Sequence, residues 1–186
     1  MEEAESPTES VQEDIHHAAE HSRDRWTMGV ALSSSILAAL AAVSSLLSGH
    51  RANEAMILQI QASNQWNYYQ AKGIKAAILG SKLELSDDGT SPDGPAKSPI
   101  RAKDEAKLAK YAKDQEEIKA EAARLTHESE ESFHLHEILS RGVTLFQVAI
   151  SIAAISALTR RKRFWWVAMG FGVCGLYFLI SALLQS

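Results

Sequence analysis

Charge is missing from three stretches of this chain, and that absence governs its architecture. Residues 28–48, 143–158 and 164–184 contain no Lys, Arg, Asp or Glu, although the whole chain is 23% charged. So segregated a distribution excludes an ordinary soluble globule with polar residues spread around one core. Cysteine is nearly absent. Cys174 stands alone, which excludes an intrachain disulfide and any cysteine-built metal cluster. Within an apolar run, such a thiol reads as a small packed hydrophobe rather than a reactive group. Basic excess is lacking as well. Residues 1–27 carry two bases against eight acids, residues 49–142 carry thirteen against fifteen, and only Arg160–Arg163 is purely basic. That balance points away from a nucleic-acid partner.

The uncharged runs are what the chain does have. Residues 28–48 (MGVALSSSILAALAAVSSLLS) number 21, about 31 Å of helix against a hydrocarbon core of about 30 Å. A secretory signal peptide would have a shorter apolar region nearer the start, so an uncleaved membrane helix is the better reading. Residues 143–158 reach spanning length if Ile138 and Leu139 join them and Arg141 snorkels to the interface. Residues 164–184 open on Phe164, Trp165 and Trp166, aromatic types suited to a membrane boundary. The five residues 159–163 between the last two runs make those helices antiparallel neighbours. Small residues recur at helical spacing in each: Ala31, Ser35, Ala42 and Gly49; Ala149, Ala153 and Ala157; Ala168, Gly172 and Gly175. These stripes are expected to let the helices pack closely in lipid, although such residues are common in membrane helices anyway.

The expected fold class is therefore all-α, an integral membrane protein with three transmembrane helices. Residues 1–14 read as a disordered acidic tail and 15–49 as a pre-membrane helix with the first span. Residues 86–99 (SDDGTSPDGPAKSP) hold three prolines and two glycines and read as a loop. Before it, Ala55, Leu58, Ala62, Trp66, Tyr69, Gly73 and Ala76 fall at helical steps. After it, Leu108, Tyr111, Gln115, Ile118, Ala122, Leu125, Ser129, Ser132, His136, Leu139 and Val143 alternate threes and fours, the coiled-coil period. Residues 50–142 are thus expected to form a long antiparallel helical hairpin continuous with the first two spans. Polar seam members Gln115, Ser129, Ser132 and His136 would set register, or else leave a wetter, looser pair. Pairs such as Lys113/Glu117 and Glu121/Arg124 read as solvated helix surface.

Three segments carry a resemblance: QWNYYQAKGIK (Gln65–Lys75), EEIKAEA (Glu116–Ala122) and LTRRKRFWW (Leu158–Trp166). Together they resemble a bacterial membrane-protein family known as a domain of unknown function, over roughly residues 15–185. The Trp-x-Tyr-Tyr-Gln-Ala-Lys core is the more specific part. The resemblance implies membrane helices around a helical middle segment and brings no activity, cofactor or catalytic residue.

Catalytic signatures are lacking in the sequence: there is no nucleophile elbow, phosphate loop, His-Glu-x-x-His or dinucleotide fingerprint. An enzyme, a bound cofactor and a metal site are accordingly not expected. His17 and His21 have i, i+4 spacing but no evident third ligand, and His134 and His136 diverge on a helix. His136 is instead a candidate pH-responsive seam residue. The membrane runs lack ionisable groups that mark ion paths, and Gln147 suits an interhelical hydrogen bond. The candidate interaction surface is Gln65, Trp66, Tyr68, Tyr69, Gln70, Lys72 and Lys75. The competing reading makes Trp66 and Tyr69 the hairpin's own core, with Gly73 admitting the partner helix.

The functional expectation is a structural or interaction protein of the plasma membrane that self-associates or docks a protein partner through the hairpin. An oligomeric pore lined by the Ser/Ala-rich first span is the alternative. Arg160, Arg161, Lys162 and Arg163 are the topology determinant, expected in the cytoplasm with the N-terminus. Residues 49–142 would then lie outside, in the periplasm of a Gram-negative cell.

Overall fold

Four prolines confined to residues 7, 92, 95 and 99 leave two long stretches where no backbone donor is lost, and each carries a helix of more than sixty residues. The computed structural model describes residues 25–87 and 99–185, which form three helices and no strand among the described residues. Helix α1 is Arg25–Asp87, α2 is Pro99–Thr159 and α3 is Lys162–Gln185. Pro99 opens α2, where a missing N–H costs nothing because the first helical donors have no partner. All three helices are long and apolar enough to cross a membrane. At 63 and 61 residues, α1 and α2 carry far more than the roughly 20 needed to span one. The expected acidic tail, the pre-membrane helix up to residue 24, the His17/His21 pair and most of the expected loop lie outside the described residues.

The chain divides into two compact units. One takes the chain through Asn53 and again from Ser132, and the other is Glu54–Glu131. In the first, Leu37 and Ala41 pack with Phe146, Ala149 and Ile150, while Val30 packs with Ala153, Ala157 and Ala168. Ile138 and Leu139 pack with Leu179 and Ala182. Rising numbers on α1 and α3 thus meet falling numbers on α2, so α2 runs opposite to both. The Trp165 indole N–H donates to Ser33 Oγ at 3.1 Å, fastening α3 to α1.

Small side chains set the helix approach in this unit. Ala149, Ala153 and Ala157 are buried, as are Ala168, Gly172 and Gly175. The stripe on α1 is the expected one only at its start, where Ala31 is buried and Ser35 half-buried. Ala42 and Gly49 are exposed, and the buried line runs Ala31, Ser34, Leu37, Ala41, Ser44, Ser48. Both lines are Ala/Ser-rich, so residue type could not separate them; the cluster that Leu37 and Ala41 form with Phe146 does. Leu32, Ile36, Val43, Leu46, Val173 and Ile180 point outward. So much exposed apolar surface would be a liability in water and suits a lipid face. Cys174 is on that outer face of α3, exposed rather than packed.

The second unit has a thin core. Ala55, Ala62, Ile118, Ala122 and Leu125 are buried, with Leu58, Trp66, Tyr69, Leu108 and Tyr111 half-buried around them. Cross-helix partners again descend on α2 as they ascend on α1. Ser129 Oγ donates to the Ala55 carbonyl at 2.8 Å, Lys72 pairs with Asp114 and Lys82 with Asp104.

Candidate functional site

Lys72 is the centre of the most chemically loaded cluster. Three and four residues separate Tyr68, Tyr69, Lys72 and Gly73, so α1 presents them along one side. The Lys72 ammonium donates to Asp114 Oδ2 at 2.7 Å, with the two side chains only 14% and 25% exposed. It also lies 5.4 Å from the Tyr68 ring centroid and 5.0 Å from that of Tyr111. Two aromatic faces and a carboxylate therefore surround one cation. The hydrogen bond to Asp114 raises the Lys72 pKa above its ordinary value, against desolvation, which lowers it. The same bond holds the Asp114 carboxyl below the usual range, helped by the charges of Lys72, Lys110 and Lys113.

At Gly73 a Cβ would lie 2.9 Å from Gln115 Nε2, the far end of a flexible side chain that can swing aside. Beside it, Trp66 and Tyr69 meet edge to face with centroids 5.8 Å apart. Of the sequence-derived surface, Gln65, Trp66, Tyr69 and Lys72 are half-buried, whereas Tyr68, Gln70 and Lys75 are exposed. The structure joins Lys72 and Tyr68 to Asp114 and Tyr111 and leaves Gln70 and Lys75 outside the cluster. Asp114 was not legible as a site member, because its place next to the seam residue Gln115 marks it only as one acid among many.

A second polar cluster lies in the first unit. Ser48 Oγ is 2.9 Å from His136 Nδ1 and 2.8 Å from Ser140 Oγ, and His136 Nδ1 is 3.0 Å from the Ser48 carbonyl oxygen. The imidazole either accepts from the hydroxyl or donates to the carbonyl, depending on its tautomer. Either way, a polar seam residue is bonded across to α1, which is how an expensive buried polar group is retained in a helix interface. His134 is exposed and takes no part. Among the described residues, no three His, Cys, Asp or Glu side chains gather as a metal site.

The basic determinant sits differently from the expected five-residue turn. Helix α2 ends at Thr159 and α3 begins at Lys162, so only Arg160 and Arg161 lie between helices. Arg160 adopts a left-handed backbone, φ 51°, a conformation that costs a non-glycine residue about 1 kcal/mol. Ser156 Oγ and the Phe164 N–H both donate to the Arg161 carbonyl and close the turn. Lys162 and Arg163 occupy the first turn of α3, where the helix dipole disfavours cations. All four are exposed.

A family model described as Domain of unknown function (DUF4337) matches residues 26–185. No curated protein and no solved structure matches the chain.

Proposed function

The chain belongs to this DUF4337 family, whose description names no activity, and from its own residues we propose that it is a membrane-anchored contact protein. Its extramembrane helices form an antiparallel hairpin, Glu54–Glu131, that self-associates or docks a protein partner. One observation carries the reading: Glu54–Glu131 turns large apolar side chains outward while several of its charges are engaged with one another in ion pairs. Ile57, Ile60, Ile74 and Ile78 are exposed. Lys72, Asp104, Asp114 and Arg124, by contrast, are all engaged in ion pairs. A catalytic cleft concentrates polar groups that await a substrate, and a docking surface offers apolar area.

The pore reading has weaker support. Ser34, Ser44 and Ser48 are buried between helices of one chain, and the outward side of α1 carries Leu32, Ile36, Val43 and Leu46. A lumen lined by that side would be apolar. Orientation follows from the basic turn. Cations retained at the start of α3 against its dipole support a role in fixing Arg160–Arg163 in the cytoplasm of the plasma membrane. The hairpin would then lie on the opposite side.

The test places a photo-crosslinking amino acid at Ile60 in the full chain in native membranes, with Ala120 on α2 as control. Adducts from Ile60 well above those from Ala120 are expected. Irradiation that yields none from Ile60 would refute the contact role.

A further inference from the structure

Among the described residues of Glu54–Glu131, every exposed large apolar side chain lies on α1 and none on α2. Ile57, Ile60, Ile74 and Ile78 are 56–66% exposed. They belong to one series, 57, 60, 64, 67, 71, 74, 78, in which steps of three and four alternate. That is a second heptad stripe. Ala62, Tyr69 and Ala76, which face α2, sit two residues from its members, about 200° around the helix. So α1 carries two opposed stripes, one occupied by α2 and one open. Along residues 55–71 there is also no charged side chain, an odd choice for a helix face left in water.

Resting on the contact role argued above, we propose that the open stripe is covered by the same stripe of a second copy, parallel and in register. Four points select a second copy. A 3.5-residue apolar period is self-complementary between parallel helices. All copies insert into the membrane with one orientation, so their α1 helices run the same way. Register brings no like charges together: Gln70 would meet Lys75 of the second copy, Ala77 would meet Lys82 and Ser63 would meet Tyr68. Asn64 takes a core position of the first kind in the heptad, where a buried asparagine favours two strands in register.

The area argues for a tethered partner rather than a free one. From residue 57 to 78 the stripe is about 32 Å long and roughly 10 Å wide, so about 300 Å² per copy. That is well under the approximately 800 Å² per partner of a stable soluble complex. Anchoring both copies in one bilayer raises their effective concentration, and a small interface then suffices.

The test uses full-length chain in native membranes with Cys174→Ser as background. Single cysteines are placed on the stripe (Ile60→Cys, Asn67→Cys, Ile74→Cys) and on the exposed side of α2 (Ala109→Cys, Ala120→Cys). A disulfide requires Cα atoms within about 7 Å, so oxidation should give a covalent dimer at the stripe positions and little from α2. A companion chain adds Ile57→Lys, Ile74→Lys and Ile78→Lys to Asn67→Cys; these sites are exposed, so helical content should hold while the covalent dimer formed on oxidation in native membranes falls at least tenfold. Equal cross-linking at all positions, or an unchanged dimer yield from Asn67→Cys in the triple-lysine chain, would overturn the proposal. Adducts from Ile60 to a different protein would also overturn it while leaving the contact role intact. No adduct of any kind would sink both.

Discussion

At Gly175 the space available to a side chain is already filled. A Cβ there would stand 2.9 Å from Phe146 Cε1 and 3.2 Å from the Gly142 carbonyl oxygen. Phe146 is fully buried and the carbonyl is backbone, so neither neighbour can give cheaply. Gly175→Ala is expected to cost about 1–3 kcal/mol through overpacking. Gly170, in the same helix, has nothing within 4 Å of its would-be Cβ. Gly170→Ala should therefore be neutral or stabilise by up to about 1 kcal/mol through helix propensity. Thermal unfolding of both variants in one detergent, followed by circular dichroism, gives the comparison; equal shifts would contradict the packing. A residue-scale contrast of the same kind separates the aromatics of α1. Trp66 and Tyr69 are half-buried against each other and Tyr68 is exposed. Trp66→Ala and Tyr69→Ala should each cost about 1–3 kcal/mol, less than a fully buried aromatic, and Tyr68→Ala under about 1 kcal/mol. Chemical denaturation of the full chain in detergent measures all three.

Helix pairing in Glu54–Glu131 is held by charge at two levels, and this gives it a pH dependence with a definite sign. Lys82, through its hydrogen bond and charge, keeps the Asp104 carboxyl below its ordinary value of 3.8. Lys72 does the same for Asp114, and the hydrogen bond from Arg124 does so for Glu121. A carboxyl with a lowered folded pKa stabilises above its unfolded pKa, and that contribution disappears as pH falls through the lowered value. Lys72, raised above 10.5, acts in the opposite sense: its contribution is complete below that value and is lost as pH climbs through the raised one. Stability of the helix pair is expected to be level between about pH 5 and 9 and to decline on either side. Lys72→Met should remove the part of the acid-side decline that belongs to Asp114. Urea melts at pH 3, 4, 5 and 7 test this, and an unaltered acid profile in the variant would show that the pair does not couple.

For the whole molecule, the basic residues at the helix ends give Glu54–Glu131 an expected side of the membrane. The basic turn and Arg25, the first residue of α1, lie at the same end of α1 and α2, and on the proposed reading both favour the cytoplasm. A cysteine at Ala120, with Cys174→Ser, is expected to react with a membrane-impermeant maleimide in intact spheroplasts. Labelling that appears only after lysis would put Glu54–Glu131 in the cytoplasm. Replacing Arg160–Arg163 with uncharged residues should weaken the preference and yield mixed labelling, because the remaining flanking charges pull less strongly.

What the sequence determined by itself was the pattern that depends on one helix at a time. Uncharged length specifies three potential spans, the positions of four prolines allow two very long helices, and the alternating steps from Leu108 to Val143 pick out residues that are all buried or half-buried. Each is a local property, set by rise per residue, backbone donors and side-chain period. Tertiary structure decided what depends on a second helix. Leu37 and Ala41 are buried where Ala42 and Gly49 are not, because they share a cluster with Phe146 from across the interface. Asp114 rather than Gln70 or Lys75 completes the cluster around Lys72, because ion-pair partners 42 residues apart are joined only when helices pair. His136 finds Ser48 for the same reason, 88 positions away. Periodicity states which side of a helix is turned inward; only the facing helix determines which inward residues meet, and at what distance.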